Sequence, residues 1–90
     1  MRYQSIEVKV TSEHIKRAGC GSRDCVMAQA LMDHFKVNYV SCGRTIALVY
    51  QDGYGSFIQV ALDEDASLIT RKFDTKQPIE PQTVHVTQIS

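Results

Sequence analysis

The chain has 90 residues, 43% hydrophobic and 22% charged, with ten basic residues balancing ten acidic ones. That length makes one domain, 1–90, which buries about 60–65% of the surface its unfolded form exposes and has a stability on the order of 5 kcal/mol. Zero net charge disfavours a phosphate-tracking nucleic-acid binder. No run reaches the roughly 18 apolar residues of a membrane span, and Met1-Arg2-Tyr3-Gln4-Ser5 lacks the apolar core of a signal peptide.

Residues 5–10 alternate polar and apolar, the pattern of a half-buried strand. Thr11 is placed to cap the helix that follows, with Val10 and Ile15 spaced as a hydrophobic staple. This short helix, Ser12–Ala18, ends at Gly19. A second helix over about 23–36 has one narrow polar stripe, Gln29, Asp33 and Lys36, and is otherwise mostly apolar or small. Such a helix is covered on most sides and belongs at the centre of the core. Ser22 and Asp24 are its candidate caps, and Cys25 lies in its first turn or caps it.

Residues 37–41 and 45–50 read as strands joined by the tight turn Cys42-Gly43-Arg44. Asp52-Gly53 is a hairpin signal that pairs Ser56–Leu62 back, completing a three-stranded meander. Asp63, Glu64 and Asp65 open a third helix at its positive dipole end, and Arg71 and Lys72 suit its negative end. Leu62, Ala66, Ile69 and Phe73 mark the buried face of that helix. After a loop bounded by Pro78 and Pro81, residues 82–89 alternate as a last strand, one that an edge position would let pair two copies into a homodimer. The order β-α-α-β-β-β-α-β predicts an α+β domain, a mostly antiparallel sheet packed against a buried central helix.

Three cysteines, an odd number, point to free thiols in a reducing cytosol rather than a disulfide framework. Cys25 at the start of the central helix is a candidate nucleophile by the helix-dipole argument. His14, His34 and His85 are the possible bases; His34 is too far along the same helix to reach it. No nucleophile signature surrounds any cysteine, and the reading is of a structural Cys25 with no catalytic residue and no cofactor. Cys20 and Cys25 lack a second ligand pair at zinc spacing, so no metal is expected. The loop Gly21, Ser22, Arg23 and Cys25 entering a helix is a possible anion site, an alternative that would bind and sequester a nucleotide or another small molecule.

The charge is uneven. Residues 1–44 carry seven basic and four acidic side chains, residues 45–90 three and six. That split suits two faces of opposite sign. Tyr54 between two glycines is the aromatic best placed for contact.

Three segments carry a family likeness: Val10-Thr11-x-x-His14-Ile15, then Cys25-Val26-Met27-Ala28-x-Ala30-Leu31, then Phe73-Asp74 with Pro78-Ile79-x-Pro81. Together they resemble a group of short uncharacterised proteins of phages and mobile elements, whose helix-start proline is Val26 here. The resemblance implies a phage-encoded accessory protein acting in the host cytoplasm. The expected function is non-catalytic: inhibition of a host defence factor, for example an anti-CRISPR activity, by direct protein binding. The expected contact residues are Asp52, Tyr54, Arg44, Arg23 and Arg17, with no membrane and no nucleic acid among the partners.

Overall fold

The computed structural model describes residues 3–19, 25–51 and 56–89. Alternation produces β1 (Tyr3–Val10), where Val8 and Val10 point inward and Glu7 and Lys9 outward. Thr11 leaves the strand in an extended conformation and caps α1 (Ser12–Arg17), with Ala18 at its C-cap. The central helix α2 runs Val26–Phe35, and its cap is Cys25 rather than Ser22 or Asp24: the Cys25 sulfur accepts the Ala28 N–H at 3.4 Å. Of the three caps the sequence offers, this is the one with a sulfur, a weaker acceptor than the side-chain oxygens of Ser or Asp. The meander follows as β2 (Tyr39–Cys42), β3 (Ile46–Tyr50) and β4 (Phe57–Leu62). Then come α3 (Glu64–Asp74), starting where its acidic residues predict, and β5 (Gln82–Ile89).

All strand pairs are antiparallel and the order is β1-β5-β4-β3-β2. The last strand is therefore interior, between β1 and β4; the edges are β1 and β2. This corrects the expectation that residues 82–89 form a free edge able to pair two copies. Eight residue pairs tie β5 to β1, from Tyr3–Ile89 to Val10–Gln82. Strand order depends on which ends of the chain meet, and local alternation carries no information about that.

One sheet face is largely apolar, with Val8, Val10, Val40, Cys42, Ala47, Val49, Val60, Leu62, Val84 and Val86 buried on it. Onto this face pack α2, which touches β1, β2 and β3, and α3, which touches β4 and β5; α1 rests on α2. Met27, Ala28 and Leu31 are fully buried in α2, and Ala66 and Ile69 are buried in α3. Asp33, His34 and Lys36 are the exposed side chains of the α2 end, so its polar stripe lies where the spacing puts it.

Lys36 ends α2 in the left-handed region, φ 57° and ψ 48°, and the N–H of Val37 returns to the Met32 carbonyl at 3.1 Å. Glycine occupies such positions without a Cβ clash. We expect Lys36→Gly to raise stability by about 0.5 kcal/mol, net of the freedom glycine adds to the unfolded chain, and Lys36→Val to lower it by about 1 kcal/mol. Urea midpoints that place the glycine variant below the parent would contradict this reading of the cap.

Candidate functional site

Because strand side chains alternate, the sheet has a second face, and none of its described residues is buried. The register sets it out in rows. Tyr39, Tyr50 and Phe57 lie across β2, β3 and β4. The next row runs Ser41, Leu48, Gln59, Ile89 and Tyr3 across all five strands, and another holds Ile46, Ala61, Thr87 and Ser5. The rings of the first row interlock: Tyr39 meets Tyr50 edge-on with centroids 4.8 Å apart, and Tyr50 meets Phe57 at 5.6 Å. Tyr3, Ile46 and Phe57 are the large apolar side chains most open to solvent on this face, Phe57 at 50%. Its only formally charged residues among those described are Glu7 and Lys9 on edge strand β1. The face is thus an apolar and aromatic platform over β2, β3 and β4, with Ser, Thr and Gln around it and the ionisable residues Glu7, Lys9 and His85 confined to β1 and β5.

The residues singled out from sequence are scattered relative to this platform. Asp52 and Tyr54, between β3 and β4, lie outside the described residues, as do Gly21, Ser22 and Arg23. Arg44 is exposed in the β2–β3 turn, where its carbonyl accepts the Ser67 hydroxyl at 3.0 Å. Arg17, at the end of α1, reaches Asp33 at 3.4 Å. Of these candidate arginines, Arg44 is thus tied to α3 through its backbone carbonyl and Arg17 to α2 through its side chain. Sequence reading missed the platform because its members were counted as ordinary strand residues; the signal was that both parities of residues 46–50 and 57–62 are apolar.

His14 proves to be a structural residue. It is 3% exposed, its Nδ1 accepts the Thr11 N–H at 3.0 Å, and its Nε2–H donates to Asp33 Oδ2 at 2.5 Å. That arrangement fixes the neutral Nε2–H tautomer. Both ring nitrogens are engaged, so His14 is not available as a base for Cys25. The hydrogen bond from His14, reinforced by Arg17, holds the Asp33 carboxyl below its usual range.

His85 forms a second pair, with Nδ1 2.7 Å from Asp65 Oδ2 while its backbone N–H meets Asp65 Oδ1 at 3.0 Å. Together with the Thr87 hydroxyl donating to Asp63 at 3.0 Å, this binds the acidic start of α3 to β5. The Asp65 hydrogen bond raises the His85 pKa above its ordinary 6.5, and Glu7, opposite on β1, adds to the effect. A raised folded value means the stabilisation is fully present below 6.5 and is lost as pH rises through the folded value. In Asp65→Asn we expect the His85 titration, followed by NMR, to fall back toward 6.5, and the decline of the urea midpoint over that window to flatten. An unchanged His85 titration would refute the pairing.

A cleft of about 580 Å³ opens at the end of α1, where Ile15, Val26, Phe73, Pro78 and Ile79 supply apolar walls and Asp74 and Lys76 the charge. The described residues contain no group of three or more His, Cys, Asp or Glu side chains able to hold a metal, and no helix among them is long and apolar enough to cross a membrane.

The class of molecule defined at this level is a small α+β domain with three helices on one face of an antiparallel sheet and the other face open. Comparison with protein-family models finds no match, and no curated protein or solved structure is significantly similar.

Proposed function

We propose that this chain is a non-catalytic binding protein whose open sheet face docks an apolar, uncharged surface of a protein partner. The single observation that carries the reading is the open-face platform, on which Tyr3, Ile46 and Phe57 are exposed and Tyr39, Leu48 and Tyr50 are half-buried. Exposed apolar patches of this kind, rimmed by polar residues, mark interaction sites, and aromatic side chains dominate binding hot spots. The lack of lysine and arginine on the described part of the face, apart from Lys9 at its edge, favours protein over nucleic acid, which needs cations to track phosphates. The likeness to short phage proteins suggests the kind of partner, a host defence factor met in the host cytoplasm. Of the contact residues expected from the sequence, Arg44 in the β2–β3 turn stays in this proposal; Arg17 is on α1, on the helix side of the sheet, and Asp52, Tyr54 and Arg23 lie outside the described residues.

The test is affinity capture of one host protein at stoichiometric amounts, with a face variant beside the parent. Phe57→Asp is expected to weaken that complex by about 2 kcal/mol, roughly thirtyfold. Leu68→Ser, an equally exposed apolar site on α3 rather than on the face, is expected to leave it unchanged. Capture that survives Phe57→Asp would remove the platform from the interface.

A second reading rests on the cleft. Its volume suits a small ligand and it flanks Gly19 and Val26, which border the loop of the expected anion site. One lysine in mostly apolar walls fits an apolar small molecule better than a nucleotide. Thermal stabilisation by a ligand at a hundredfold its dissociation constant is about 2.7 kcal/mol. A shift abolished by Phe73→Asp but untouched by Phe57→Asp would place binding in the cleft.

A further inference from the structure

The outermost strands of an open sheet turn every second residue's N–H and C=O away from their neighbour, which makes each edge a template for another strand. The two edges of this sheet differ. β2 is four residues long and offers little of a ladder. β1 runs eight residues, Tyr3–Val10, with no proline or glycine, and one side of it pairs with β5 along its whole length. Among the described residues no strand lies along its other side. The side chains of this edge follow the parity of the sheet. Ile6, Val8 and Val10 belong to the helix-covered face, and Ser5, Glu7 and Lys9 are exposed on the open one. Glu7 and Lys9 thus stand two residues apart on one face, opposite in sign, with Val8 between them.

We propose that β1 pairs antiparallel with β1 of a second copy, about a two-fold axis through Val8, so that two five-stranded sheets join into one. Residues directly opposite each other in an antiparallel pair share a face, and register therefore decides which charges meet. With the two Val8 residues opposite each other, each Glu7 faces the second copy's Lys9, and symmetry makes that contact twice. On the other face Ile6 meets Val10, a pair of β-branched side chains of the kind that packs well across strands. Sliding by two residues in one direction sets Glu7 against Glu7, and in the other sets Lys9 against Lys9. A lone lysine on an edge strand discourages pairing. Placed two residues after a glutamate, the same lysine instead selects one register. The occupant is a second copy because the strand that fits must present the same two charges in reversed order, and this edge itself does so when turned by the two-fold. β5 carries the row onward, since Glu7 lies beside His85 and Lys9 beside Thr83. The axis is perpendicular to the sheet and leaves both open faces on the same side, so the pairing does not compete with docking on the platform.

Sedimentation velocity of the intact chain at about 1 mM, a concentration suited to a small interface, is expected to show twice the mass of the 10.1 kDa chain. Glu7→Lys alone and Lys9→Glu alone each set like charges opposite one another twice. Each is expected to weaken the dimer roughly thirtyfold and to sediment as a monomer. Mixing the two variants in equal amounts puts opposite charges back across the junction and is expected to restore the dimer, as is the double variant Glu7→Lys with Lys9→Glu. Association regained by mixing cannot come from repair of a folding defect. Phe57→Asp, on the platform, is expected to leave the dimer intact, which separates failure of this pairing from failure of the docking reading. A parent that stays monomeric, a dimer that survives Lys9→Glu, or a mixture that stays monomeric would each overturn the proposal. So would a dimer lost in Phe57→Asp, which would place the contact on the open face.

Discussion

Leu31→Ala is expected to remove most of the stability of this domain. Leu31 is fully buried in α2, one turn from the equally buried Met27, on the helix that contacts β1, β2, β3, α1 and α3. Deleting a buried leucine to alanine loses transfer free energy and leaves a cavity, together about 3–4 kcal/mol. Against a total on the order of 5 kcal/mol, that leaves a chain near its unfolding midpoint at physiological temperature. Circular dichroism in urea gives the check, with Leu68→Ala as reference: Leu68 is a leucine of α3 with 44% exposure, and its truncation is expected to stay within about 0.5 kcal/mol. Equal losses for the two variants would mean that α2 is not the centre of the core.

The second large effect is expected at His14. Its imidazole closes a capping box with Thr11, at the third helical position usually held by Glu or Gln, and spans to Asp33 on α2. His14→Ala removes both ring hydrogen bonds, strands the Thr11 N–H and opens a cavity, for a loss of about 2–4 kcal/mol. His14→Gln restores an acceptor for the Thr11 N–H and a donor toward Asp33, and is expected to recover more than half of that loss. A double-mutant cycle with Asp33→Ala is expected to return a coupling of about 1–2 kcal/mol. Zero coupling, or a glutamine variant as unstable as alanine, would show that the ring serves only to fill space.

Both expectations show where local pattern sufficed and where it did not. The centrality of α2 was legible, because ten residues with so little polar surface have to be covered on several sides. The capping role of Thr11 was legible too, since the residues involved are three apart. Its partner His14 was hidden, because histidine is an unusual member of a capping box and because Asp33 lies nineteen residues away. The same separation explains the acidic start of α3. Asp63 and Asp65 mark a helix start, as the sequence suggests, yet their side chains are spent on Thr87 and His85 of β5, 24 and 20 residues off.

The candidate site divides the same way. Tyr50 and Phe57 are visible in the sequence as members of a hairpin, but alternation does not say which parity the helices will cover. That choice follows from the whole pattern: the valine-rich parity of β1, β4 and β5 faces α2 and α3, and the aromatic parity is left to solvent. Arg17 and Arg44 look equivalent in a list of charges, and only folding assigns one to Asp33 and the other to the turn against α3.

The sequence by itself determined the element types and order, the antiparallel meander, the buried central helix and the caps formed by near neighbours, because these rest on periodicity and on contacts a few residues long. Tertiary structure alone decided that β5 lies inside the sheet beside β1, which face stays open, and that His14 joins Asp33. Each of those depends on residues separated by long stretches of chain, whose meeting is set by how the layers pack together and not by any local preference.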